Sequence, residues 1–197
     1  HLYQARDVYR ANFGGGFGEG RSGPSGANPP GGAVFHYHVP AAGTVLKLAV
    51  LDSAGRVIRE FESASDSAVR ADSIARARAA AAAAGDENPF AAAGRAPRLM
   101  NRAGHNTYVW NLRYPDASSF DGMILWAAGT TGPLAPPGRY QVRLVAGTDT
   151  TVRTFQLRPD PRSTATPADY KAQFAFLTTV RDRFSESNDA VTKSLIV

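Results

Sequence analysis

Two histidines in one short run are the first candidates for chemistry in this chain. His36 and His38 lie in the aromatic and β-branched run Ala33–Val39, and residues two apart in a strand share one face of the sheet. A metal can use that spacing, but its site needs further ligands, and the sequence offers only His1 and His105 besides. We therefore interpret the pair as histidines on a solvated strand face, and we predict no metal and no cofactor.

Other patterns that would indicate catalysis are weak. Residues 18–23 match G-x-G-x-x-G, but a dinucleotide site needs a strand before the motif and a helix after it, and here Gly and Pro surround it. Asp116 and Asp121 lie in one loop, where we interpret them as solvated rather than as the paired carboxylates of a glycosidase. The sequence has no G-x-S-x-G motif and no cysteine, which excludes thiolate chemistry and disulfides. We predict that the chain is not an enzyme.

Aromatic residues point to binding rather than to a reaction. Trp126 stands between Gly122 and Gly129 in a loop-rich region, where Trp126 or Tyr114 could form a platform for a carbohydrate. Another group of aromatic residues occupies predicted strands, and we expect it in the core: Tyr108, Trp110, Tyr140 and Phe155.

The elements that would position these residues are mostly short strands. The 197 residues suit one domain with its own core. Apolar alternation on both sides of the turn 52–55 predicts a β-hairpin over 44–51 and 56–61, with Gly55 at positive φ. Further strands are predicted at 33–39, 107–112, 140–145 and 151–157, the last two as a second hairpin. About seven short strands favour a mainly β fold, an Ig-like antiparallel β-sandwich over residues 33–160.

Three appendages accompany the predicted sandwich. Residues 1–32 form an extended Gly/Pro-rich arm, of which 2–10 could also be a strand. Residues 63–98 form an Ala-rich helical insertion with strong helix propensity and few large apolar side chains. Residues 161–197 contain a C-terminal amphipathic helix.

The C-terminal helix has a recognisable start and an apolar stripe. Thr166 is a suitable N-cap, and Pro167 suits the first helical position. Apolar residues then recur at helical spacing: Tyr170, Phe174, Leu177, Val180, Phe184 and Val191. At about 27 residues the helix would be roughly 40 Å long, which is longer than a small sandwich needs. We expect the stripe, with Phe174 and Phe184 as interaction residues, to lie on the sandwich, another domain or another chain.

The charge pattern limits the classes of partner. The net charge is +5, yet Arg is scattered along the chain and usually stands near Asp or Glu, as in Arg181-Asp182-Arg183. A nucleic-acid site would cluster its basic residues, so we predict no nucleic-acid binding and favour an acidic protein or anionic surface. No run of about 18 apolar residues occurs, so we predict no transmembrane segment.

Four motifs together carry a resemblance to a known family. Residues 104–115 read GHNTYVWNLRYP and resemble the signature G-x-N-x-x-x-W-D-L-R-Y-P. Residues 26–33 (GANPPGGA), 51–59 (LDSAGRVIR) and 136–142 (PPGRYQV, followed by Asp160-Pro161-Arg162) resemble further motifs in the same order. The family is the C-terminal module of secreted bacterial sortilin-like, BNR-repeat propeller proteins, so-called glycosyl hydrolases, and single motifs recur in flagellar-hook-cap-like Ig modules. Asn111 stands where the signature has Asp, which removes a charge beside Arg113.

The resemblance implies an interaction module rather than a catalyst. Hydrolase activity in such proteins would belong to the propeller, whose blades this sequence lacks. The implied protein is an accessory or structural subunit, or the processed C-terminal part of a larger exported protein, periplasmic or extracellular. It would dock onto other protein subunits, a membrane-bound assembly included, through its arm, insertion and final helix. The alternative is a carbohydrate-binding accessory domain that uses Trp126 or Tyr114.

Overall fold

The computed structural model describes residues 1–11, 31–63, 98–120, 122–125 and 129–195. Within these ranges the protein is mainly β, with two sheets and one C-terminal helix. The strands are β1 (Val8–Arg10), β2 (Ala33–Val39), β3 (Leu46–Leu51), β4 (Val57–Glu62), β5 (Gly104–Trp110), β6 (Gly138–Ala146) and β7 (Asp149–Pro159), and the helix is α1 (Pro167–Leu195). One sheet has the order β1-β7-β6-β3-β4, and the other pairs β2 with β5.

Both predicted hairpins are present in the five-stranded sheet. The turn between β3 and β4 is closed by Asp52, whose Oδ1 accepts hydrogen bonds of 2.9 Å from the N–H groups of Ala54 and Arg56. Gly55 has a φ of 81°, a conformation that residues with a Cβ rarely adopt, which confirms its predicted role. The hairpin of β6 and β7 is longer than predicted, because the two strands stay paired from Ala146 and Asp149 at the turn to Gly138 and Leu157.

Residues 2–10, for which the sequence allows a strand or an extended arm, contain the short strand β1. Strand β1 pairs in parallel with β7, which is an exception to the predicted antiparallel arrangement. Leu2 is fully buried and forms a bridge with Tyr37 of β2. Residues 1–11 therefore pack against both sheets, while 12–30 lie outside the described residues.

The second sheet contributes side chains to the same core as the first. Strands β2 and β5 pair antiparallel over seven residues each, and their side chains alternate between a buried face and an exposed face. The ring of Phe35 lies 5.3 Å from that of Phe155 in β7, and the ring of Trp110 lies 5.8 Å from that of Tyr140 in β6. The buried residues of both sheets belong to one hydrophobic cluster. The predicted core aromatics, Tyr108, Trp110, Tyr140 and Phe155, are all buried.

The chain leaves the sheets for the predicted insertion and returns at the same place. Ser63, at the end of β4, forms a parallel bridge with Leu99, and residues 64–97 between them lie outside the described residues. The helix predicted there therefore has no described structure. The pairing of Ser63 with Leu99 shows that both ends of the segment meet at one edge of the fold.

Helix α1 begins where its cap predicts. Thr166 Oγ1 and the Thr166 N–H both donate to Asp169 Oδ2 at 2.7 Å, and the Asp169 N–H donates back to Thr166 Oγ1 at 3.3 Å. This reciprocal pair satisfies amides that have no partner within the helix. The helix has 29 residues, slightly more than predicted, and is about 44 Å long. Among the described residues, no helix has the length and apolar character needed to cross a membrane.

Candidate functional site

A groove runs beside α1 and contains a cavity of about 310 Å³. One wall is the helix from Gln173 to Phe184, and the other is the segment 129–134 together with Arg113 and Ala117. Strand β1 closes one side through Arg10. The cavity therefore draws on three parts of the chain that are distant in sequence.

Polar contacts hold α1 in this position. Asn188 is 5% exposed, and its Nδ2 donates to the carbonyl oxygen of Ser118 at 2.6 Å. Ser185 Oγ accepts a 3.1 Å hydrogen bond from the Ser118 N–H, and Ser118 Oγ donates to the Ser185 carbonyl at 3.1 Å. Arg181 Nη1 donates to the carbonyl of Pro115 at 3.3 Å. The C-terminal half of the helix is thus anchored mainly by hydrogen bonds to one extended segment.

The opposite wall depends on a close approach at Gly132. Its N–H donates to Asp116 Oδ1 at 2.8 Å, and its carbonyl accepts from Arg113 Nη1 at 2.8 Å. A Cβ at this position would meet the carbonyl oxygens of Tyr114 and Pro115, so only glycine lets the two backbone stretches lie this close. Gly132 therefore brings Arg113 and the 129–134 wall together.

The chain bends at Leu112, just before this wall. Leu112 has a φ of 61°, a value uncommon for residues other than glycine, and it is buried after the end of β5. The predicted strand 107–112 therefore stops at Trp110, and the next residues form a bridge between Arg113 and Leu134 instead. The turn at Leu112 places Arg113 beside the groove.

Arg10 brings a partly buried positive charge to the groove. Its Nη2 donates to Gln173 Oε1 at 2.9 Å, and its guanidinium carbon lies 4.9 Å from the centre of the Tyr170 ring. Its Nε is buried and has no hydrogen-bond partner. Burial lowers the pKa of Arg10, and the nearby charge of Arg113 lowers it further. The groove thus holds a positive charge in a partly dehydrated position.

The apolar stripe of α1 is only partly covered. Of the predicted stripe, Tyr170, Phe174 and Phe184 are partly buried. Four apolar residues remain exposed, which we call the apolar flank: Phe176 (68%), Leu177 (37%), Val180 (49%) and Val191 (39%). The reason is that polar residues such as Arg181, Ser185 and Asn188 occupy the contact face, so the apolar side chains are displaced to its side. Leu177 and Val180 of the flank also line the cavity.

The predicted interaction residues are placed as follows. Tyr114 and Phe174 contact each other with ring centres 4.5 Å apart, at the junction of α1 with the sheets, and burial raises the pKa of Tyr114. A carbohydrate platform needs an open ring face, and the ring of Tyr114 is instead engaged with the helix. Phe184 lines the cavity, and Trp126 lies outside the described residues.

The sequence does not predict that Arg10 and Arg113 give the groove its positive charge. Arg10 belongs in sequence to the N-terminal arm, and its position depends on the parallel pairing of β1 with β7. The one available signal is the neutral Asn111 two residues before Arg113. In the structure Asn111 Oδ1 accepts a 3.2 Å hydrogen bond from the Arg113 backbone N–H, and Arg113 lines the cavity.

All four histidines lie at the outer face of the two-stranded sheet. His36 and His38 are exposed as predicted, and His36 Nδ1 lies 3.0 Å from His105 Nε2 with the two rings stacked. His1 pairs with His38 through backbone hydrogen bonds. Throughout the described ranges, no group of three or more His, Cys, Asp or Glu side chains has an arrangement that could hold a metal ion. Of the two loop carboxylates, Asp116 accepts the Gly132 N–H, and Asp121 lies outside the described residues.

No known family model, curated protein or solved structure matches this chain. The resemblance to the C-terminal module of propeller proteins therefore stays a prediction from the four motifs, and the groove along α1 is the starting point for a functional argument.

Proposed function

We propose that the chain is a non-catalytic interaction module that binds another protein subunit along α1. The observation that carries this proposal is the apolar flank, since four large apolar side chains of one helix are exposed and two of them, Leu177 and Val180, also line the cavity. Burying apolar surface is favourable by about 25 cal/mol per Å², and contiguous exposed apolar surface is typical of binding sites. A helix that needed only to cover the sheets would carry these residues on its contact face.

The way α1 is attached supports the same proposal. Hydrogen bonds through Ser118, Ser185 and Asn188 fix the position of the helix without using the apolar flank. A rigidly held apolar surface loses little conformational entropy when a partner binds, so it is a better binding site than a mobile one. The flank is therefore both exposed and preorganised.

We further propose that the two sheets form an Ig-like β-sandwich. The contacts of Phe35 with Phe155 and of Trp110 with Tyr140 support this arrangement, because aromatic side chains from both sheets share one core. The hairpins of β3 with β4 and of β6 with β7 are also typical of such modules. Strand β1, which pairs in parallel with β7, is an additional strand at one edge of the five-stranded sheet.

The biological setting that we propose follows from the motif resemblance. In this setting the chain is an accessory or structural subunit, or the processed C-terminal part of a larger exported bacterial protein. It works outside the cytoplasm, in the periplasm or extracellular space, and docks onto a protein assembly. Proteins of this kind need binding surfaces rather than active sites.

Photo-crosslinking tests the interaction proposal. A photoreactive phenylalanine analogue replaces Phe176 in the full chain, expressed in the source organism, and a second variant carries it at Lys171. Lys171 is also exposed but lies about 140° away around the helix, so it serves as the matched control. We expect a discrete adduct with one protein from position 176 and little or none from position 171.

Two results would contradict the proposal. Equal adducts from both positions would indicate random collisions, and the absence of adducts from position 176 would show that the flank meets no partner. Binding to a glycan array that survives changes to the flank would favour the carbohydrate-binding alternative instead.

A further inference from the structure

Three arginines from separate parts of the chain meet in the groove beside α1. Arg10 comes from β1, Arg113 from the segment after β5, and Arg181 from α1, and all three line the same cavity. This convergence rests on the tertiary structure, because Arg10 and Arg113 are about one hundred residues apart in sequence.

The carboxylates near the groove do not neutralise all of the positive charge of these three arginines. Arg181 is paired with Asp182 Oδ1 at 2.6 Å. Asp116 accepts the Gly132 N–H, its Oδ2 lies 4.0 Å from Arg59 Nη2, and neither Asp116 nor Arg59 lines the cavity. Among the residues that the structure describes, Arg10 and Arg113 have no carboxylate oxygen within 4.0 Å. Their recorded contacts are with neutral groups, Gln173 Oε1 and the Gly132 carbonyl.

Unused N–H donors of Arg10 and Arg113 also favour an anionic ligand in the groove. Arginine carries five N–H donors, and within the described residues the guanidiniums of Arg10 and Arg113 donate hydrogen bonds only through Arg10 Nη2 and Arg113 Nη1. The other terminal nitrogen of each guanidinium has no acceptor among these residues, and a carboxylate is the acceptor that matches a guanidinium best, because it can bind through two parallel hydrogen bonds. The groove is therefore suited to receive a carboxylate between Arg10 and Arg113.

Apolar side chains line the rest of the cavity, and they determine which groups of a ligand can lie next to that carboxylate. Leu134, Leu177, Val180 and Phe184 line it, and two of them belong to the exposed apolar flank. A volume of about 310 Å³ is at the small end of ligand pockets and would hold one or two side chains. Because the apolar surface continues outward along the helix, a peptide segment uses more of it than a free small anion does.

We propose that this groove binds an acidic side chain of a partner protein, presented between apolar residues. The carboxylate pairs with Arg10 and Arg113, and the neighbouring apolar residues contact Leu177, Val180 and Phe176. This inference rests on the proposed interaction function and specifies the chemistry of the partner.

Peptide selection tests this chemistry without knowledge of the partner. A library of random twelve-residue peptides is displayed and selected on the immobilised full chain. We expect the enriched peptides to share one Asp or Glu between apolar residues. For a synthetic enriched peptide, replacing that Glu with Gln should weaken binding by about 30-fold or more, because it leaves two partly buried arginines without a carboxylate.

Variants of the protein provide the reciprocal measurement. Arg10→Gln together with Arg113→Gln should weaken binding of the same peptide by a similar factor, and the Glu-to-Gln change in the peptide should then have little further effect. The matched control is Arg139→Gln with Arg153→Gln, which removes the same net charge from the strands β6 and β7 and should leave binding nearly unchanged. The peptide substitution leaves the protein intact, so misfolding cannot account for that loss.

Several outcomes would overturn the proposal. Enriched peptides without acidic residues would do so, and so would equal losses in the groove variants and the control variants. Displacement of the peptide by millimolar acetate or phosphate as effectively as by the free peptide would indicate a site for small anions only. If crosslinking from position 176 succeeds while these tests fail, the proposal of an interaction module is retained and only the proposal of an acidic partner is rejected.

Discussion

Phe155 in β7 and Phe176 in α1 illustrate how differently two regions of this molecule use their apolar residues. The first is 3% exposed and lies against the rings of Phe35, Trp110 and Tyr140, whereas the second is 68% exposed. The sheets bury their large side chains in one cluster, while α1 is anchored near its C-terminal end by Asn188 and keeps apolar side chains at its surface. The sheets thus provide stability, and the helix presents a surface that they position.

The sharpest test of this comparison makes the same substitution in both regions. Phe155→Ala should lower the free energy of unfolding by about 3–5 kcal/mol, since it leaves a cavity among packed rings. Phe176→Ala should change it by no more than about 0.5 kcal/mol, because the side chain is mostly in water. Urea denaturation followed by tryptophan fluorescence measures both. A large loss with Phe176→Ala would mean that the flank is buried within the protein and is not a binding surface.

A cap substitution separates the stability of the helix from that of the sheets. Thr166→Ala removes the hydroxyl that bonds with Asp169, and it should destabilise the start of α1 by about 1 kcal/mol. Hydrogen exchange should be faster in the first turns of α1 and unchanged in β3 and β6. If exchange in the strands accelerates by the same factor, the helix and the sheets unfold as one unit, and the two regions are not independent.

The smallest expected change in stability concerns Asp160 and Arg162, which lie in the segment between β7 and α1. The hydrogen bonds from Arg162, which include Nη2 to Oδ2 at 2.7 Å, lower the pKa of Asp160 to about 2. Because the folded-state pKa is depressed, this contribution is complete above the ordinary pKa near 4 and is lost as the pH falls through 2. Thermal unfolding at stepped pH should show Asp160→Asn to be slightly less stable than the wild type at pH 7.

The two proteins should then converge in stability as the pH falls below 2, where the wild-type carboxyl becomes mostly protonated. The effect is small because the Arg162 side chain is largely exposed to water, and added salt should reduce it. A constant difference at every pH would show that the Asp160→Asn substitution perturbs the structure for another reason and that the ion pair does not contribute.

Local signals explain which parts of the fold could be predicted from the sequence. The turn at Gly55, the shared exposed face of His36 and His38 in β2, and the cap at Thr166 each depend on residues within a few positions of one another, and all three predictions are confirmed. The parallel pairing of β1 with β7 joins residues about 150 positions apart, and no periodicity in the sequence encodes such a pairing.

The candidate site was predictable only in part for the same reason. The helical spacing identifies Phe174 and Phe184 on α1, and both lie at or beside the groove. The face on which α1 packs was predictable only in part: Phe174 of the stripe contacts Tyr114, but the polar contacts through Ser185 and Asn188 have no signal in an apolar pattern. Arg10 and Arg113 become neighbours only through the fold, so their shared charge had no signature in the sequence.

The bridge between Ser63 and Leu99 has a consequence for how this protein can vary in evolution. Since the chain departs and returns at one point of the sheet edge, the number of residues between those points does not affect the register of β4 or β5. The entropic cost of joining two fixed points by a flexible segment grows only with the logarithm of its length, by about 0.6 kcal/mol for each doubling. We therefore expect insertions and deletions between Ser63 and Leu99 to leave the core and the groove unchanged, which makes this edge a place where new function can be added.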